Sequence, residues 1–454
     1  MDLPSLISAL AAAAGALITV LRYMQESQKP AEAEPTQVTE KFIPLIRYSK
    51  FQTAFLASVI IVGLLMGVVR PSGLLQSSEL MAFDRMMRSR PLEQPDPRLL
   101  VVTVTDDDLD YQNQKKMQKG GESLSDQALE EVLRKLSQHE PRVIGLDIFR
   151  DFSVNQKFPE LTKQFQDNKR LIVTCSVERT KAPPEIPSEQ NQRLGFSNIP
   201  EDSDEVIRRQ FLGMTPSDQC YTDQSFSLRI ALLYLETKNV SPIKLTPDKK
   251  TLQIGKVFFP KLVSDAGGYQ LPREEELGYQ ILLNYRSLKT VESIAQQISL
   301  TDILEDAQKD RLPSLVNDHI ILIGTTAPSS NPDFHMTPYG EKIPGVFIQA
   351  HMVSQIISAV LDPRPLLWWW PPIWEIIWVW LWALVVGILI EYWRSPLRRT
   401  LVVGIAIAIL YGLCFFAFTQ GGWLPLIPST LSLFFTSACV AIALAYSQTT
   451  SSNS

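Results

Sequence analysis

From Thr400 to Ser454 the sequence contains no Asp, Glu, Lys or Arg, and Leu401–Tyr446 is almost wholly apolar. So long an uncharged run excludes an evenly soluble globular protein and fits a bilayer. Where no water can satisfy a broken backbone, a spanning segment is a helix of about 20 apolar residues. Four segments meet that demand: Phe51–Val69, Pro372–Ile390, Leu401–Phe418 and Leu424–Tyr446. Pro372–Ile390 carries only Glu375, near its start, and Thr419–Trp423 is a turn-forming stretch between the last two. All nine tryptophans fall between Trp368 and Trp423. Such rings collect at headgroup depth. Trp374, Trp378 and Trp382 recur every four residues on one helical face, for anchoring and packing or as a seam that transmits motion.

Basic residues in short loops set the orientation. Lys41, Arg47 and Lys50 precede the first span, and Arg394, Arg398 and Arg399 lie between the second and third. Four spans bring both groups to one side, the cytoplasm. The chain then divides into an N-terminal helix and cytoplasmic linker (1–50), a first transmembrane helix (51–70) and a large extracytoplasmic domain (71–370). A second transmembrane helix (371–392), a cytoplasmic loop (393–400), transmembrane helices at 401–418 and 424–446 and a cytoplasmic tail (447–454) complete it. Leu3–Met24 is either a fifth span or an interfacial helix, and its small residues suit packing on partner helices. Gln25–Thr39, with Pro30, Pro35 and several Glu, reads as a flexible linker.

Net charge is −5 with no basic block, which speaks against nucleic acid as a partner. The four cysteines show no CxxC or Cys/His spacing, so no zinc module is expected. Between Pro71 and Pro371, strand and helix patterns alternate. Leu99–Thr105, Val143–Phe149, Arg170–Val177 and His319–Gly324 are apolar runs of the kind buried in a sheet. Gln253–Phe259 and Gln280–Tyr285 read as further strands, and Ala128–Leu136, Phe158–Asp167, Phe226–Thr237 and Val346–Leu361 as helices. Pro183–Pro187 and Asp265–Glu276 read as surface loops. The expected fold is an α/β extracytoplasmic domain, a sheet flanked by helices, joined to an α-helical transmembrane bundle.

Ordered motifs then carry a resemblance. They are Arg142-Val-Ile-Gly-Leu-Asp-Ile-Phe-Arg150, Leu194-Gly-Phe-Ser-Asn198, Asp202-Ser-Asp-Glu-Val-Ile-Arg-Arg209 and Ser225-Phe-Ser-Leu-Arg-Ile-Ala-Leu232. Asn284-Tyr-Arg286, Ile320-Ile-Leu-Ile-Gly-Thr-Thr-Ala-Pro328, Thr337-Pro-Tyr-Gly340, Pro344-Gly-Val346 and Ala350-His351 follow. From about Phe83 to Pro365 the chain resembles the second class of CHASE domain, an extracytoplasmic sensor found on cyclases, histidine kinases and Ser/Thr kinases, especially in cyanobacteria. The resemblance implies one span before the sensor and about three after it. Relatives often carry a cytoplasmic output domain, whereas only Ser447–Ser454 follows the last span. Output is therefore expected from a cytoplasmic signalling protein or a homo-oligomer, with Leu3–Met24 as the expected contact.

The candidate ligand residues are Asp106, Asp107, Asp147, Asn284, Thr325, Asp333 and His351. Asp106-Asp-Asp108 ends the first strand and Asp147 lies in the second, and ligands of α/β sheets bind at carboxyl ends of strands. As hard oxygen donors they suit Mg²⁺ or a cationic ligand; turn capping and local N–H contacts are the favoured alternative. Asp333 with His335, and His351, suit a metal or pH-sensing site, although four histidines are few. Gly324-Thr-Thr-Ala lacks the phosphate-loop pattern. No G-x-S-x-G or placed base is present, so no enzyme activity, cofactor or metal is expected. Cys175 and Cys220 are the two cysteines of the external domain; an even count there favours a disulfide over two buried thiols. The expected function is sensory: the external domain detects an unidentified ligand and the helices, set in lipid of an inner or plasma membrane, relay it. The alternative is a structural or assembly protein that uses the domain for docking.

Overall fold

A computed structural model describes residues 50–117, 123–246, 251–330, 333–393 and 395–452. Leu3–Met24, Gln25–Thr39, Lys41, Arg47 and Arg394 lie outside the described residues. The described residues form two compact units: one holds those up to Met86, Ser264–Leu271 and those from Trp368; the other holds those of Met87–Val263 and Pro272–Leu367.

Among the described residues the first unit contains four helices long and apolar enough to cross a bilayer: Gln52–Val69, Pro372–Tyr392, Pro396–Thr419 and Leu426–Tyr446. Small residues let the first, second and fourth meet closely. A Cβ at Gly387 would lie 3.2 Å from both Ala54 Cβ and Thr436 Cγ2. Near the same place Glu391 Oε1 accepts the Ala54 N–H at 3.1 Å. Buried Arg70 pairs with fully buried Glu375 and donates to the Gly267 carbonyl. The expected surface loop at Asp265–Glu276 is corrected in its first half, since Ala266 and Tyr269 are fully buried. Gly267 and Gly268 lack the Cβ that would run into the indole of buried Trp423. The Tyr269 ring meets that indole edge-on, with centroids 5.5 Å apart.

The second unit is a parallel sheet between two helical layers. Its strands are β1 (Leu99–Val104), β2 (Val143–Asp147), β3 (Leu171–Cys175), β4 (Leu194–Phe196), β5 (Gln296–Ser299) and β6 (Ile320–Thr325), in the order β5-β1-β6-β2-β3-β4, with every pairing parallel. Side chains alternate across a strand, so each apolar run feeds two cores. Leu99, Val101, Val143, Ile172, Ile320 and Leu322 face one; Leu100, Val102, Val104, Ile144, Leu146, Val173, Ile321 and Ile323 face the other.

The helices used below are α1 (Asp106–Gln114), α2 (Asp126–Ser137), α3 (Pro159–Asp167), α4 (Phe226–Thr237) and α5 (Gly345–Leu361). Residues of α4 and α5 fill the first core, those of α2 and α3 the second. Ser125 caps α2 by accepting the Ala128 N–H at 3.1 Å. Leu129, Val132, Leu133 and Leu136 then point inward at helical spacing. Gln253–Phe259, read as one strand, is the middle of a hairpin: Thr251–Ile254 and Val257–Pro260 pair antiparallel. Gly255 turns between them with φ +57°, a conformation glycine adopts without strain. Cys175 and Cys220 are disulfide-bonded, with Cα atoms 5.6 Å apart.

Candidate functional site

Strand register brings Val104, Thr325 and Asp147 to one edge of the sheet: Val104 pairs with Thr325, and Gly324 with Asp147. Thr105 caps α1, accepting the Asp108 N–H at 3.3 Å, while Asp108 Oδ2 accepts the Thr105 N–H at 2.7 Å. The reciprocal pair is a capping box. Asp106 is exposed and accepts the backbone N–H of Ser329 at 3.3 Å and its hydroxyl. Asp107 is exposed in the same first turn. There a carboxylate is favoured by the helix dipole. Thr325 Oγ1 donates to Ser123 Oγ at 2.8 Å. Asp106 and Asp107 thus serve the start of α1, Asp106 tying it to the loop after β6, and Thr325 ties the end of β6 to the stretch before α2.

Asp147, half-buried at the end of β2, differs. Its neighbour Asp333 holds His335 Nε2 at 2.8 Å, and Glu201 holds Nδ1 of the same ring at 2.9 Å. Burial and then the Asp333 charge push the Asp147 carboxyl up to about 8, with His335 opposing. Burial works against the His335 charge, yet Asp333 and Glu201 raise its pKa above the ordinary value. Asp333 is fixed by its main chain, whose carbonyl accepts the Gly345 N–H at 2.7 Å at the start of α5. A Cβ at residue 345 would strike the Asp333 carboxylate, which explains the glycine. This edge can hold a proton or attract positive charge. Among the described residues no three His, Cys, Asp or Glu side chains gather for a metal.

Asn284 and His351 belong to neither group. His351 is buried; its Nε2 bonds the Val291 carbonyl at 2.9 Å and its Nδ1 accepts the Arg286 N–H at 3.4 Å. Burial pushes it down to about 3, so it stands neutral in the core. Asn284 Oδ1 accepts from Arg90 at 2.6 Å, and Nδ2 donates to the Pro365 carbonyl at 2.8 Å. Asn284 is therefore part of a clamp on the segment leaving α5, whereas His351 ties α5 itself to Val291 and Arg286. Arg364 forks onto Glu93 at 2.7 and 2.9 Å and bonds the carbonyls of Asn284 and Tyr285 at 2.9 and 2.8 Å. Arg98 bridges Asp96 and Asp362, each at 2.7 Å. Burial alone would raise the Glu93 carboxyl, but the Arg364 guanidinium holds it down at about 2. Glu93, Asp96 and Glu201 are absent from the sequence-derived set. All three lie in irregular segments; Glu93 and Glu201 are far along the chain from their partners, Glu201 being 134 residues from His335, and Asp96 bonds nearby Arg98 as well as distant Ser354.

A parallel α/β domain and, among the described residues, four bilayer-length apolar helices fit a membrane protein. The family model of the CHASE2 domain matches residues 57–388, and the chain belongs to that family. CHASE2 domains are extracytoplasmic sensors, and membership gives the chain a sensory role. Neither the curated proteins nor the solved structures contain a match to it.

Proposed function

We propose that the chain is a multi-pass membrane sensor whose α/β domain faces outward and whose apolar helices relay a stimulus to a separate cytoplasmic partner. Family membership supports the sensory half. The basic residues on either side of the loop proline, Arg394, Arg398 and Arg399, support the orientation. Labelling of a cysteine introduced by Ser395→Cys should require membrane-permeant reagent, and labelling from outside would overturn the topology.

The observation that carries the relay is the clamp after α5. The segment that continues into the Pro372–Tyr392 helix leaves the domain with Asp362 and Arg364 held by ion pairs. A shift of α5 therefore reaches the chain beyond it without slack. A cysteine pair made by Thr53→Cys and Tyr392→Cys, on the first and second apolar helices, reports the outcome in membranes. Glu93→Ala should change its oxidative cross-linking rate several-fold. An unchanged rate would sink the relay and leave a docking role. In this reading the chain signals without catalysing, so ATP incubated with the purified protein stays intact; hydrolysis or cyclisation would contradict it.

A further inference from the structure

The second unit also carries a cleft of about 920 Å³ away from the acidic edge of the sheet. That size lies within the range of small-molecule sites. Its floor is the outer face of α4, where Arg229, Leu232, Leu233 and Glu236 follow helical spacing. A solvent-facing helix stripe would be polar there, but Leu232 and Leu233 are half-buried and line the cleft. The opposite wall adds Val240, Ile243 and fully buried Ile254.

Charge is distributed unevenly across it. Asp167, Glu189, Glu236 and Lys169 stand exposed at the rim. The two charged residues set deeper are both cations. Arg193 is buried and donates to the Phe165 carbonyl. Arg229 is half-buried, and its Nε is buried without a hydrogen-bond partner. Burial lowers the Arg229 pKa, and Asp223 opposes that shift. A guanidinium in such a place lacks the acceptor its planar fork is shaped for.

We propose that this cleft binds a small monocarboxylate with an apolar body, the acid group on Arg229 and the body against Leu232 and Leu233. The proposal names the ligand class of the sensory reading. It is tested without the relay, so the two can fail separately. Calorimetry on the full chain in nanodiscs uses a series from acetate to 4-phenylbutanoate, with 3-phenylpropanol as the neutral match of 3-phenylpropanoate. Affinity should rise with the apolar body, and the alcohol should bind about tenfold more weakly or worse. Arg229→Gln should lose a similar factor, Leu233→Ser should weaken the longer acids more than acetate, and Asp310→Asn, exposed and outside the cleft, should change nothing. Equal binding of acid and alcohol, full affinity in Arg229→Gln, or no binding by any acid at millimolar concentration would overturn the site. Binding that leaves the helix cross-linking rate unaltered would keep the site and remove the relay.

Discussion

Asp202 accepts from two guanidinium groups at once, Arg208 at 2.8 Å and Arg209 at 2.7 Å, and all three side chains are about 1% exposed. Removing one member of a buried ionic group strands the others, at a cost of about 3–5 kcal/mol. Asp202→Ala should lose that much in urea unfolding of the full chain, and Asp202→Asn, which keeps acceptor geometry, should lose less. The Asp147 carboxyl gives a pH signature instead. Its folded pKa is raised from 3.8 to about 8, so between those values the folded state holds a proton the unfolded chain has released. Its contribution is complete below about pH 4 and is lost as pH rises to about 8. Asp147→Asn should therefore gain thermal stability relative to wild type across that window; parallel melting curves would contradict the assignment. Asp147 and Asp333 are visible in sequence because each stands beside a strand or a histidine. Asn284 and His351 mislead for the opposite reason: their polar atoms are already bonded to backbone and arginine, and that spending of valence has no local sequence mark.

Among the elements, the packing of α4 on the sheet depends on glycine. A Cβ at Gly195 in β4 would run into the Phe226 backbone, and one at Gly145 in β2 would come within 2.5 Å of Ile230 Cδ1. Backbone cannot rotate away as a side chain can, so Gly195→Ala should cost roughly 1–3 kcal/mol by forcing the helix off the sheet. Gly145→Ala, which meets a side-chain terminus, should cost less; equal losses in chemical denaturation would refute the distinction. The same double-sided burial makes β1, β2, β3 and β6 legible as continuous apolar runs. β4 has three residues, and β5 (Gln296–Ser299) exposes both glutamines, so neither produces a run. The helix at Asp106–Gln114 is hidden because most of its surface is polar and solvated, leaving the capping pair Thr105 and Asp108 as its signal.

At the scale of the molecule, the order of strands is what sequence patterning leaves open. An apolar run states that a strand is buried, not which strand lies beside it. β1 is flanked by β5 and β6, the last two strands of the sheet to be made, with Leu100 beside Gln296 and Leu99 beside Ile320. That feature sets a timetable for biogenesis. At about 5–20 residues per second, the ribosome needs roughly 10–45 s to supply the partners of a strand it has already released. Through that interval Leu99–Val104 has both edges open, a template for wrong pairing. Nascent chains arrested before residue 320 should be cut readily around β1 by added protease, and chains arrested well beyond residue 361 should resist.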